Sequence, residues 1–193
     1  MTTASNVWEG KIGKYLPGGT IITTRREATH RTISTSEDPS KMGRWTSILS
    51  SGKKGHQTRI VSVYNPIGTS KGALSVNQQQ TRKLQTVDNN QTPRDALIKD
   101  LRKLVKQWIE DGEHLIIGMD ANEDVRTGKL TTMLREQRLH NAILSNYPHI
   151  SSITTFERTE KEVPIDATMT MFDANKSIRA GYLAFDEGTP EDH

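Results

Sequence analysis

The chain has 193 residues, enough for one domain with a real core, and no cysteine, which excludes a disulfide framework, a thiolate metal site and a cysteine nucleophile. Net charge is only +3 and mean hydropathy −0.66. No apolar run approaches the ~20 residues that a membrane helix needs, and residues 1–20 hold no uninterrupted apolar stretch of signal-peptide type.

In chain order, residues 1–16 carry weak order signals. Pro17-Gly18-Gly19 reads as a turn before Thr20-Ile21-Ile22-Thr23-Thr24, a strand by its β-branched content. Residues 35–43 read as a loop, Arg44 to Leu49 as a strand, and Ser51 to Gly55 as a hairpin-length turn. Arg59 to Tyr64 is a further strand, stopped by Asn65-Pro66. Residues 67–91 are polar and fit either a helix or a long loop.

Residues 92–112 give the clearest helix. Thr92 caps it, Pro93 suits its first turn, and Asp95 completes a pattern like a capping box. Leu97, Leu101, Leu104, Val105 and Trp108 share one face, and Gly112 is a natural stop. The strand 114–119 follows at once, and that succession argues for α/β layering. A second helix is expected from Lys129 to Gln137, with Leu130, Met133 and Leu134 inward. Strands are expected near 153–156, from Ile165 to Phe172, and over 178–185. Trp8, Trp45 and Trp108 are expected in the core. His30, His56, His114, His140 and His149 show no ligand spacing and read as surface or packing residues.

Charge is unevenly spread. Residues 1–90 carry 13 Lys and Arg against 5 Asp and Glu, net +8; residues 91–193 carry 13 against 18, net −5. A basic half beside an acidic half suits a polyanion bound across a cation-holding site, or an unevenly solvated surface.

The chemistry-bearing positions sit at strand ends. The apolar run His114 to Met119 ends in Asp120-Ala121-Asn122. If the extended backbone continues, Asp120 and Asn122 point the same way. A carboxylate there can hold a cation or orient water, and a carboxamide can donate to an anionic oxygen. A calcium loop starting at Asp120 fails, because its sixth position is Val125 rather than Gly and its twelfth is Thr131 rather than Glu. Asp166 lies among apolar residues at the start of a strand, where an acid is costly unless paired. The chain ends in Glu191-Asp192-His193. Read as ordinary structure, these are turn and cap residues and a terminal tail.

In order, four segments resemble the motifs of the endonuclease/exonuclease/phosphatase superfamily. They are Val63-Tyr64-Asn65-Pro66, Ile117-Gly118-Met119-Asp120-Ala121-Asn122, Pro164-Ile165-Asp166 and Glu191-Asp192-His193. Pro17-Gly18-Gly19-Thr20 and Gly43-Arg44-Trp45 further resemble endonuclease-like domains associated with retroelements. The match has departures. Met119 separates Gly118 from Asp120, Ala167 follows Asp166 where Tyr is common, and Glu191 replaces a Ser.

The resemblance implies a four-layer α/β/β/α sandwich of two packed mixed sheets, formed by residues 1–193 as one domain. It implies phosphodiester hydrolysis with Mg2+ or Mn2+, acting on nucleic acid, with DNA the expected partner and no membrane. By the same resemblance Asp192 belongs to the metal site, and His193 faces the scissile phosphate. Asp166 orients the His193 ring, Asp120 orients the attacking water, Asn122 bonds a phosphate oxygen, and Tyr64 contacts the phosphate from the opposite wall. The family's early metal-binding Glu has no clear counterpart, since Val7-Trp8-Glu9-Gly10 does not read as its strand end. The expectation is therefore a domain lacking its first strands and its closing strand. Its alternative function is that of a degenerate, non-catalytic nucleic-acid-binding remnant of the same fold. Lack of cysteine adds an intracellular setting, nucleus or cytoplasm, as a weaker expectation.

Overall fold

A computed structural model describes residues 1–5, 18–68, 72–87, 90–147 and 163–172. Their strands are β1 (Thr2–Ser5), β2 (Thr20–Thr23), β3 (Thr32–Glu37), β4 (Trp45–Ser51), β5 (Gln57–Tyr64), β6 (His114–Asp120), β7 (His140–Asn141) and β8 (Asp166–Thr170). Their helices are α1 (Glu27–His30), α2 (Val76–Thr86), α3 (Pro93–Glu110), α4 (Lys129–Glu136) and α5 (Ala142–Asn146). Strands β3-β4-β5-β6-β8-β7 form one mixed sheet in that order, and β1-β2 form a separate antiparallel pair.

The large sheet has two unlike faces because side chains alternate along each strand. Val61 and Val63 of β5 and Leu115, Ile117 and Met119 of β6 are buried against one layer. That layer is the apolar stripe of α3, Leu97, Leu101, Val105 and Trp108, joined by Leu130, Met133 and Leu134 of α4. Each such side chain stabilises the fold by about 1.5–3 kcal/mol. Trp45 and Trp108 meet edge to face here, with ring centroids 5.8 Å apart, so both are core residues as expected. On the opposite face, Thr3 of β1 meets Thr46 of β4, their hydroxyls 3.2 Å apart, and β1 and β2 lie against β3, β4 and β5. The described residues therefore stack helices, a mixed sheet and a second small sheet, three layers of an α/β architecture. Among them no helix is long and apolar enough to cross a membrane.

Helix α3 begins as its sequence demands. The Thr92 hydroxyl accepts the Asp95 backbone N–H at 3.1 Å, and Gly112 stops the helix with φ 79°. Helices α2 and α3 fill the crossover that makes β5 and β6 parallel neighbours, which resolves the ambiguous polar stretch 67–91 partly into helix.

Several elements differ from expectation. Residues 35–37 belong to β3 rather than to a loop. This Thr- and Ser-rich edge strand has no apolar alternation. It is held by polar pairing, including Ser36 to Ser47 at 2.7 Å. Strand β1 forms within a segment of weak signals, and β7 and α5 lie between the expected helix 129–137 and the expected strand near 153–156, where no element was expected. The expected strands near 153–156 and 178–185 lie outside the described residues, as do Trp8 and His149. His56 and His114 pack against each other, with ring centroids 5.5 Å apart, and His114 stacks on Phe172 at 5.3 Å.

Candidate functional site

Three strands bring polar side chains to one rim. In register, Tyr64 of β5 is the parallel partner of Asp120 on β6, and Asp120 is the antiparallel partner of Asp166 on β8. Paired residues share a face, so Tyr64, Asp120 and Asp166 form a row across the sheet on the face turned away from α3. All three are half-buried. Tyr64 therefore stands beside Asp120 in the same sheet, not on an opposing wall.

The backbone beyond Asp120 does not stay extended. Strand β6 ends there, and Asn122 takes φ 46°, in the left-handed region that asparagine tolerates better than most residues. The Asp120 carboxylate receives the Asn122 backbone N–H at 3.1 Å, closing a tight turn. Ala121, fully buried, donates its N–H to the Ile165 carbonyl at 2.8 Å, and Val125 donates to Pro164 at 3.0 Å. These bonds tie the turn to the segment leading into Asp166. Asn122 thus reaches the rim by a reversal of the chain, not by the period-two spacing expected from Asp-x-Asn.

Asn65 completes the tie, and sequence reasoning had it only as a strand stop. Its backbone N–H donates to the Asp120 carbonyl at 2.9 Å. Its side-chain amide donates to the Ala121 carbonyl at 2.8 Å, and its own carbonyl receives the Asn122 amide at 2.8 Å. The residue is fully buried. Its place between the tyrosine strand end and Pro66 was the available signal.

The electrostatics of the row follow from its geometry. Burial pushes the Tyr64 phenol above its ordinary range, the Asp120 charge pushes it further, and a hydrogen bond with Asn122 opposes both. Tyr64, Asp120 and Asn122 are therefore mutual neighbours. Directly opposed residues on antiparallel strands hold their Cβ atoms roughly 4.5–5.5 Å apart, and like charges so placed are destabilising. Two carboxylates, a carboxamide oxygen and a phenol are all oxygen donors, the set a hard divalent cation prefers. Among the described residues no cluster of three or more His, Cys, Asp or Glu gathers to hold a metal. Asp192 and His193 lie outside them, as does Glu9.

Other acids of the cluster are structural. Asp124 receives the Arg126 backbone N–H at 2.9 Å and its guanidinium at 2.8 Å, and the Arg126 hydrogen bond holds its carboxyl below the usual range. Glu123 accepts the Leu130 N–H at 2.6 Å at the start of α4. A cavity of about 560 Å³ between α3 and α4, with Ile98 and Met133 among its lining, is set apart from the rim residues.

The sequence matches no family model and no curated protein. Solved structures do resemble the chain. A 3′ phosphatase from Neisseria bound to a product DNA hairpin is similar with TM-score 0.45 and 12% identity, over 72% of this chain and 58% of that one. A mannosyl-6-phosphatase from Bacteroides thetaiotaomicron is similar with TM-score 0.37 and 11% identity, over 65% and 42%. An endonuclease/exonuclease/phosphatase family protein from the same species gives TM-score 0.33 and 11% identity, over 66% and 40%. The chain thus spans about two fifths to three fifths of the chains it resembles.

Proposed function

We propose that this chain is a divalent-metal-dependent phosphodiester hydrolase domain of the endonuclease/exonuclease/phosphatase type, acting on DNA. The observation that carries the reading is the rim itself. Tyr64, Asp120, Asn122 and Asp166, from motifs far apart in sequence, converge at adjacent strand ends.

Hydrolysis of a phosphodiester needs a water in line with the leaving oxygen, relief of charge on the phosphate, and a proton for the departing group. Asp120 orients and deprotonates the water. Asn122 donates to a non-bridging oxygen. Tyr64 stays a neutral donor at physiological pH, because burial and Asp120 hold its proton, and it serves a second phosphate oxygen. In this reading the role of Asp166 is to orient the His193 ring, and the role of His193 is to supply the proton to the leaving oxygen. Asp192, beside that histidine in sequence, belongs to the cation site, with Mg2+ or Mn2+ as the ion. The bound ion supplies charge neutralisation for the phosphate. The excess of basic residues in the first half of the chain suits a polyanionic nucleic acid better than a small phosphoester.

Incubation of the full chain with supercoiled plasmid tests this. Nicking is expected with Mg2+. It should vanish in chelator and fall by about 10²–10⁴-fold in Asp120→Ala. Cleavage that persists unchanged in chelator or in that variant would overturn the reading. DNA binding without any Mg2+-dependent cleavage would replace it with the non-catalytic remnant.

A further inference from the structure

Arg94 stands in the first turn of α3, yet its guanidinium reaches the turn that carries Asn122. Nη1 donates to the Asn122 carbonyl at 3.1 Å, and Nη2 donates to Glu123 Oε2 at 2.7 Å. The other Glu123 oxygen accepts the Leu130 N–H at 2.6 Å. Glu123 is boxed in on its third side, for a Cβ placed on Gly128 would lie 2.3 Å from its Oε1. The Arg94 stem passes within 3.4 Å of where a Cβ on Gly68 would sit. Arg94 thus grips the turn after β6, and through Glu123 it is linked to the start of α4, while its stem lies beside the loop after β5.

The turn needs such a connection. Asn122 is in a left-handed conformation, and β6 has ended before it. Its backbone N–H is held by Asp120 and its side-chain amide by the Asn65 carbonyl. Its own carbonyl is held by Arg94. The carbonyl's direction is set by the peptide plane that follows Asn122, so a donor fixed there limits rotation of the residue as a unit. The two contacts are the forked, charge-assisted kind that a guanidinium makes and an ammonium cannot reproduce.

We propose that Arg94 is a positioning residue for the hydrolytic reaction. By gripping the Asn122 carbonyl and the Glu123 carboxylate together, it fixes the direction in which the Asn122 amide meets the phosphate. The assignment rests on the reading of the rim as a phosphodiesterase site.

The test combines kinetics with a readout that needs no turnover. Arg94→Lys and Arg94→Gln in the 193-residue chain are compared with wild type on a fluorescent duplex oligonucleotide in Mg2+. The kcat should fall by about 10–100-fold, as expected of a small misplacement of a reacting group, with KM nearly unchanged. In an Asn122→Ala background, Arg94→Gln should add little to the loss of kcat, because the amide that Arg94 is proposed to orient is already gone. Hydrogen exchange of the Asn122 amide groups, followed by NMR, should speed up in both Arg94 variants, while core amides of β5 keep their wild-type rates. Full, independent losses in both backgrounds would overturn the assignment. So would a raised KM with kcat intact, or an Asn122 exchange rate that does not move. A wild-type chain that does not hydrolyse DNA would sink the rim reading and with it the positioning role of Arg94. The exchange data would then still say whether Arg94 holds the turn.

Discussion

Asn65 and Asn122 bind the ends of two neighbouring strands to one another. The Asn122 side-chain amide donates to the Asn65 carbonyl at 2.8 Å, and the Asn65 side-chain amide donates to the Ala121 carbonyl at 2.8 Å. Asn65 is fully buried, so the bond to Ala121 is made away from water.

Replacing Asn65 with Ala should therefore destabilise the chain by about 1–3 kcal/mol, since it leaves a buried carbonyl without its donor. Urea unfolding followed by tryptophan fluorescence measures this through the transition midpoint. A loss below roughly 0.5 kcal/mol, the ordinary scatter of surface substitutions, would mean that the tie does not hold the rim.

Tyr64 gives a dependence on alkaline pH. Its phenol is held above its ordinary value by burial and by Asp120. The folded chain thus keeps this proton at pH values where the unfolded chain has begun to lose it. The folded state binds more protons, so stability falls as pH rises, starting near the unfolded tyrosine value of about 10 and continuing through the folded value. Thermal unfolding from pH 8.5 to 11 should show this decline in wild type and a shallower one in Tyr64→Phe. Parallel curves for the two proteins would contradict the assigned surroundings of Tyr64.

Arg44 and Asp38 form a buried pair whose acid limb runs the other way. Arg44 Nε and Nη2 donate to the two Asp38 oxygens at 2.7 and 3.0 Å, and Nη2 also reaches Asp100 at 2.9 Å. Burial alone would raise the Asp38 carboxyl, but the hydrogen bonds and charge of Arg44, with help from Ser40, outweigh it and hold the group below its usual range. The folded state binds fewer protons, so this contribution is present above the unfolded Asp value of about 3.9 and is lost as pH falls through the folded value. At neutral pH, Asp38→Asn should cost about 3–5 kcal/mol, the usual penalty for breaking a buried pair. The gap between variant and wild type in denaturant midpoint should close as pH drops toward 2. A gap that stays constant with pH would rule out the charge pairing as its source.

Asp120 and Asp166 are direct register partners on β6 and β8 and share one face of the sheet. In chelator, Asp166→Asn should leave stability unchanged or raise it by about 0.2–1 kcal/mol, because a like-charge pair is removed. Added Mg2+ should raise the wild-type Tm by on the order of 5 °C when it exceeds its Kd about 100-fold. The Asp192→Asn variant, which changes the residue proposed for the cation site, should respond less. Differential scanning fluorimetry reads both effects. A wild-type Tm indifferent to Mg2+ and Mn2+ would count against the proposed cation.

Much of this architecture was legible in the chain. Thr92, Pro93, Asp95 and Gly112 mark the ends of α3, and its apolar stripe marks its inner face, because caps and periodicity are local properties. The apolar strands ending in Tyr64 and Asp120, and the one beginning at Asp166, were found for the same reason. Strand β3 was not, since its Thr and Ser residues are held by the strand beside them rather than by any pattern of their own.

What the sequence determined alone was which side chains stand at the ends of strands. Only the tertiary structure decided that Asn122 turns left-handed, that buried Asn65 receives it, and that Arg94 grips its carbonyl. Those partners depend on the parallel register of β5 with β6 and on α3 lying across them. Register of that kind is set by burying one face of the sheet against a helix many residues away, and no local pattern in the chain encodes it.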